Sequence, residues 1–187
     1  LQSLYGAEFT QEDHFARADM FLWRRDTASA QALLPRLSAG RKAVVEARVA
    51  LIRNSKQIDK LVGAVPQAYA DDPGLLYERA RHAERRNRIS DELSLLLRIN
   101  GEGAPEVGRE AIWSEKQSVV RRLIREGNYA TAYQLAAGHG LTQGEAFRDA
   151  EWMAGWLALS KLGDAKKAEI HFTVFGAGVQ TPISVAR

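Results

Sequence analysis

The sequence predicts an all-α fold built as an α-superhelix, a TPR-like solenoid of antiparallel helix hairpins. Apolar residues recur with the period of a helix, no stretch alternates apolar and polar side chains as a strand does, and capping residues begin several similar segments. From Ile112, for example, the apolar positions continue at Val119, Val120, Leu123 and Ile124, which share one helix face.

Composition indicates one soluble globular domain covering residues 1–187, with 45% hydrophobic and 26% charged residues. The net charge is only +3 and basic residues alternate with acidic ones, so we expect no nucleic-acid partner. The chain has no cysteine and no run near the ~20 apolar residues of a membrane span, which excludes disulfides and predicts no membrane span. Because the sequence begins with Leu1, we expect it to start inside a longer precursor.

Capping signals divide the chain into ten predicted helices. The predicted N-cap residues are Thr10 (paired with Asp13), Asp26, Asn87, Asn128 and Asp164. The glycines expected near C-caps are Gly40, Gly101, Gly140 and Gly163. The predicted ranges are 10–24, 27–38, 41–54, 56–70, 74–86, 89–99, 106–126, 129–138, 143–162 and 165–176. Pro35 should kink or shorten the second of these helices.

Four of the N-cap residues also begin an internal repeat. They are separated by 61, 41 and 36 residues, and the last two spacings lie near the ~34–47-residue periods of helix-hairpin solenoids. Four positions after each cap stands Ala30, Asp91, Ala132 or Ala168, where a small side chain would let a second helix cross closely. An irregular helical bundle is the alternative, but the joint recurrence of cap and small residue favours the solenoid.

Glu151 is the carboxylate of most interest, because its apolar neighbours could raise its pKa and suit it to general acid catalysis. We favour a structural role, with Glu151 buried and bonded to an arginine or to backbone N–H groups. The surrounding segment 150–159 is apolar almost all the way round, which predicts a buried helix. Trp152 and Trp156, one turn apart, could form an aromatic platform for sugars, although we favour core packing.

No metal or cofactor site is expected. The four histidines show no metal-ligand spacing, and no Gly-x-Gly pattern follows a strand or carries the lysine of a phosphate loop. His139, at a predicted helix C-terminus, should bond a carbonyl of the last turn.

An ordered series of residues runs from about Trp113 to the last residue. Its members are Ala132-Tyr133, Leu135-Ala136, His139-Gly140-Leu141, Phe147, Ala150-Glu151-Trp152, Gly155-Trp156-Leu157-Ala158-Leu159, Ala168, His171-Phe172, Gly178-Val179 and 181–187. This series resembles the superhelical domain of soluble lytic murein transglycosylases. Segments 71–75 and 77–81 fit more loosely, and residues 1–70 match mainly in pattern, so the resemblance covers about two thirds of the chain.

The resemblance implies a function for the parent protein. Members of this family cleave the MurNAc–GlcNAc bond of peptidoglycan without water and leave a 1,6-anhydro-muramyl end. Their catalytic glutamate, acting first as acid and then as base, lies in a separate C-terminal lysozyme-like domain, for which the superhelical domain is a platform. That domain and its Glu-Ser motif are absent from this sequence, so no glutamate here inherits the catalytic role.

The resemblance therefore implies the scaffold portion of a periplasmic enzyme, without activity of its own. Its implied partners are its own C-terminal catalytic domain and, through the parent enzyme, peptidoglycan. A TPR-like module that binds a protein or peptide in its concave face is the alternative. Thr181-Pro182 looks like the start of a further helix, and with its neighbour missing we expect apolar side chains around Phe172 and Phe175 to be exposed.

Overall fold

The structure, a computed structural model, describes residues 9–177, and all regular structure within them is helical. The ten α-helices are α1 (Gln11–Trp23), α2 (Thr27–Ala32), α3 (Ala39–Ile52), α4 (Ile58–Gly63), α5 (Pro73–Arg85), α6 (Ile89–Arg98), α7 (Glu106–Arg125), α8 (Tyr129–Ala137), α9 (Gly144–Ser160) and α10 (Ala165–Ala177). The predicted all-α class is confirmed for this part of the chain. The helix start predicted at Thr181-Pro182 lies outside the described residues.

Two helices are shorter than their predicted ranges, and for the first of them, 27–38, Pro35 predicted this shortening. The range 27–38 is divided into α2 and a 3-10 turn at Leu34–Arg36, and the range 56–70 into α4 and a 3-10 turn at Gln67–Tyr69. Pro35 and Pro66 stand at these breaks, where a proline lacks the N–H that an α-helix would need.

Local capping bonds explain where several helices begin. At α1 the Thr10 hydroxyl accepts from the Asp13 N–H at 3.2 Å, and the Asp13 carboxylate accepts from the Thr10 N–H at 2.8 Å. Asp26, Asn128 and Asp164 each accept from the backbone N–H three residues later, at 3.0, 3.4 and 3.0 Å respectively. These four N-cap predictions are confirmed, because each depends on residues close in sequence.

The predictions for Asn87 and Gly40 are wrong. Asn87 has φ +55° at the end of α5, where an asparagine tolerates the left-handed conformation, and α6 begins only at Ile89. The repeat is therefore shifted by one position there, and Glu92 is buried instead of Asp91. Gly40 lies inside the first turn of α3 rather than at a C-cap, and a Cβ at this position would collide with the Tyr69 ring.

The chain divides into two compact units, Leu1–Leu95 and Leu96–Arg187. In the first unit, α3 packs against α1, α2, α4 and α5, and its buried aliphatic residues centre the core. In the second, α7 packs on α8, and α9 packs on α8 and α10.

Small buried residues permit the close packing of helices in the second unit. Ala150, Ala154 and Ala158 recur every four residues along α9 and are fully buried. The small residues predicted after the caps of α8 and α10, Ala132 and Ala168, are buried as well. Short connections join these helices.

Candidate functional site

Glu151 lies on α9 in the second unit, and its carboxylate is shared between two histidines. It is 8% exposed. Its Oε1 lies 3.0 Å from Nε2 of His139, which belongs to the loop after α8, and its Oε2 lies 2.7 Å from Nδ1 of His171 on α10. The predicted burial of Glu151 is confirmed. The predicted partners are wrong, because imidazole rings take the place of an arginine or backbone N–H groups.

The network extends beyond Glu151 at both ends. Nδ1 of His139 accepts from the Leu141 N–H at 2.9 Å, so Nε2 carries the hydrogen that is donated to Glu151. On the other side, the Tyr133 hydroxyl lies 3.1 Å from Nε2 of His171, whose Nδ1 faces the carboxylate. One chain of hydrogen bonds therefore connects α8, the loop after it, α9 and α10.

The protonation state of Glu151 follows from these bonds. Burial on its own raises the pKa of the Glu151 carboxyl, but the hydrogen bonds from His139 and His171 outweigh it and hold the pKa below its usual value. The raised pKa considered from the sequence is therefore wrong in direction. An ionised carboxylate with both oxygens engaged cannot serve as a general acid at neutral pH.

Aromatic rings complete the surroundings of His139. The edge-on rings of Trp113 and Phe147 lie 6.1 and 5.6 Å from the imidazole, measured between centroids. The sequence predicted a bond from His139 to a last-turn carbonyl of the preceding helix, and this is also wrong. The hydrogen bond to the end of α8 comes instead from Lys116 of α7, whose Nζ donates to the carbonyls of Gly138 and Ile99.

Lys116 is almost completely buried and joins the segments that follow α6 and α8. Burial lowers the pKa of its ammonium group to about 8. The same two segments approach each other at Gly101 and Gly140, with φ +81° and +73°. A Cβ on Gly101 would lie 2.7 Å from the Gly140 Cα, so both the left-handed backbone and the close approach require glycine.

A buried arginine and its acidic neighbours form a polar cluster inside the first unit. The Arg48 guanidinium is fully buried, pairs with Asp19 and lies 5.0 Å from the Trp23 ring centroid. Asp72, the N-cap of α5, accepts from the Leu75 N–H at 2.9 Å. Burial raises the pKa of Asp72, and this effect outweighs the opposing charge of Arg48. Arg48 is fully buried and Asp72 caps a helix, so we assign these residues to packing.

Arg25 and Glu78 form a second ion pair in the same unit. Arg25 Nη1 lies 2.8 Å from both carboxylate oxygens of the fully buried Glu78. Arg25 has φ +64° just after α1, a conformation that directs the chain into α2. Sequence reasoning missed this pair and Arg48, because 53 residues separate Arg25 from Glu78 and no local pattern marks the contact.

The interpretation of Trp152 and Trp156 as core residues is wrong. Both are partly exposed, and their rings are parallel to within 9° with centroids 6.4 Å apart. The segment 150–159 is likewise buried on one side only, since Leu159 is exposed. Apolar composition around the helix therefore did not predict burial on every face.

Apolar side chains around the two phenylalanines of α10 are exposed, as expected, but the phenylalanines themselves are not. Phe175 is buried, and Phe172 contacts Gly155 of α9, where a Cβ would lie 2.7 Å from Phe172 Cε1. Ile170, 62% exposed, and Val174 lie instead on the outer face, one turn apart.

Comparisons complete the description of the candidate site. Within residues 9–177, no group of three or more histidine, cysteine or acidic side chains is arranged to hold a metal ion. The helices in that range lack the combination of length and apolar character needed to cross a membrane. Comparison with family models, curated proteins and solved structures found no match to this chain.

Proposed function

We propose that this chain is the superhelical scaffold portion of a periplasmic peptidoglycan lytic transglycosylase. In this proposal the helix hairpins stack as a solenoid, the chain has no catalytic carboxylate of its own, and a C-terminal lysozyme-like domain supplies the chemistry. The proposal originates in the sequence resemblance and is supported by what the matching residues do in the second unit.

The observation that carries the proposal is the Glu151 network. Tyr133, His139, Glu151 and His171 all belong to the matching series, and they bond to one another across three helices and a loop. Such a network fixes the relative positions of α8, α9 and α10, which is the task of a scaffold. Its carboxylate is ionised and enclosed, whereas glycosidic bond cleavage needs a carboxyl group placed at the bond in a sugar-sized cleft.

Digestion of purified peptidoglycan sacculi tests the proposal. Residues 1–187 alone should release no 1,6-anhydro-muropeptides, as measured by liquid chromatography and mass spectrometry. Fused in front of a lysozyme-like domain of this enzyme family, the chain should increase release relative to that domain alone. Release by the chain alone, or equal release by the fused and single catalytic domains, would count against the scaffold.

A second candidate is the TPR-like module that binds a protein or peptide. The exposed Ile170 and Val174 on α10 favour it, since an apolar pair one helical turn apart suits packing against another helix. Capture of a defined peptide by the chain, lost in Ile170→Asp and retained in the equally exposed Glu169→Asp control, would favour this candidate over the first.

A further inference from the structure

The outer face of α9 carries an aromatic surface that the Glu151 network does not use. Trp152 and Trp156 are partly exposed, nearly parallel and 6.4 Å apart between centroids. That distance lies near the upper end of the range for offset-stacked rings, about 4.5–7 Å. Both indoles keep part of their surface exposed, and the centroid spacing is comparable with the repeat of one sugar ring in a polysaccharide.

Polar groups border this surface at both ends. Between α7 and α9 lies a cleft of about 230 Å³, lined by Gln117, Arg121, Asp149, Trp152 and Met153. Beyond Trp156, the Lys161 ammonium lies 5.3 Å from the indole centroid and 5.2 Å from the ring of Tyr129. We call the surface formed by Arg121, Trp152, Trp156, Tyr129 and Lys161 the tryptophan strip.

The chemistry of the tryptophan strip selects a class of ligand. A pyranose ring presents C–H groups on its face and hydroxyls at its edge, which complements flat indoles with polar side chains beside them. The cationic Arg121 and Lys161 at opposite ends outnumber the one carboxylate that lines the cleft, that of Asp149, and so favour a ligand that also carries negative charge. A lipid surface would instead require a broad and continuous apolar patch.

We propose that the tryptophan strip binds a glycan strand bearing carboxylates, with neighbouring sugar rings on Trp152 and Trp156. Identifying this strand as peptidoglycan rests on the proposed function, but the recognition of an acidic glycan rests on the surface alone. The site is separate from the buried Glu151 network, because the Glu151 carboxylate is bonded to His139 and His171. In the scaffold, the strip would hold substrate strands near the catalytic domain.

Co-sedimentation with purified sacculi tests the strip in the chain itself. We expect binding by residues 1–187, at least tenfold weaker binding by the Trp152→Ala/Trp156→Ala double variant, and partial recovery when both positions are phenylalanine. Ile89→Ala, a substitution of an exposed apolar residue on α6, is the matched control and should bind as the parent does. Circular dichroism establishes that each variant is folded.

Two further probes define the ligand. An amidase that strips the stem peptides also frees the lactyl carboxylate of each muramyl sugar, so stripped sacculi should bind more tightly than intact ones. Chitin, a neutral glycan, should bind more weakly than either. Arg121→Glu/Lys161→Glu should lose sacculus binding and keep any chitin binding. Equal binding of chitin and sacculi would overturn the charge selection, and dependence on the stem peptides would make the ligand a peptide.

Failure of the strip and failure of the scaffold give different results. If sacculi do not bind, or if they bind the tryptophan double variant as well as the parent, the strip is refuted whatever the fused catalytic domain does. If acidic glycans bind but fusion leaves catalysis unchanged, the strip stands and the scaffold falls.

Discussion

Raising the pH from 8 to 10 should stabilise this protein, and Lys116 is the reason. Folding buries its ammonium group and lowers its pKa from 10.5 to about 8. Between these values the unfolded chain binds a proton that the folded chain has released. The free energy of unfolding therefore increases with pH across this window and is smallest below it.

The size of the effect follows from the shift. One pKa unit corresponds to about 1.4 kcal/mol, so the whole window is worth about 3 kcal/mol. Because titration is incomplete at both ends, about 2 kcal/mol of this should be gained between pH 8 and 10. The pKa of Tyr133 is raised by burial from 10.0, so its ionisation in the unfolded chain begins to oppose the gain near pH 10 and does so more strongly above it.

Urea unfolding at constant ionic strength, followed by far-UV circular dichroism from pH 7 to 10, measures this gain. In Lys116→Met the rise should disappear, since no lysine remains to titrate between Gly138 and Ile99. Lys166→Met, which removes an exposed lysine of the same unit, should keep the full rise. A flat profile in the parent protein, or an equal rise in Lys116→Met, would refute the assignment to Lys116.

Two further perturbations concern α9. Gly155→Ala should lower the melting temperature in scanning calorimetry, because its Cβ would lie 2.7 Å from Phe172 and the overpacking cost of about 1–3 kcal/mol exceeds the gain in helix propensity. The control Gly63→Ala, whose Cβ meets no atom within 4 Å, should raise the melting temperature. A higher melting temperature for Gly155→Ala than for Gly63→Ala would contradict the packing. Glu151→Gln should reduce the free energy of unfolding at pH 7 by about 1–3 kcal/mol. Since folding lowers the pKa of Glu151, the stability that its ionised carboxylate contributes is complete above pH 4.5, the pKa in the unfolded chain. This contribution is lost as the pH falls through the pKa of the folded protein, so Glu151→Gln should lose less stability in acid than the parent does.

Local signals predicted most helix boundaries, because caps depend on residues three or four positions apart. Thr10 and Asp13 bond to each other, and Asp164 bonds to the N–H of Lys167. The exceptions have local causes as well. Asn87 has the residue type of an N-cap but serves the end of α5, since asparagine suits both places.

The partners of buried charges could not be predicted in this way. The apolar neighbours of Glu151 indicated burial, but its bonds to His139 and His171 depend on how a loop and α10 pack around α9. Lys116 stands between Glu115 and Gln117, and nothing in that sequence distinguishes a buried lysine from a solvated one. Trp152 is the opposite case, because its apolar neighbours indicated burial and yet its side chain is partly exposed.

Several residues that carry the sequence resemblance contact one another in the second unit. Glu151 bonds to His171, and Gly155 contacts Phe172, so two residue pairs that are far apart in the matching series are neighbours between α9 and α10. Such residues constrain one another: a larger side chain at Gly155 displaces Phe172, and loss of a histidine leaves a buried carboxylate short of a donor. A series of this kind specifies helix packing rather than bond cleavage. Under the proposed function, a scaffold would retain such a series wherever the catalytic glutamate lies, and the proposed sugar contacts come from two members of the series that are partly exposed, Trp152 and Trp156.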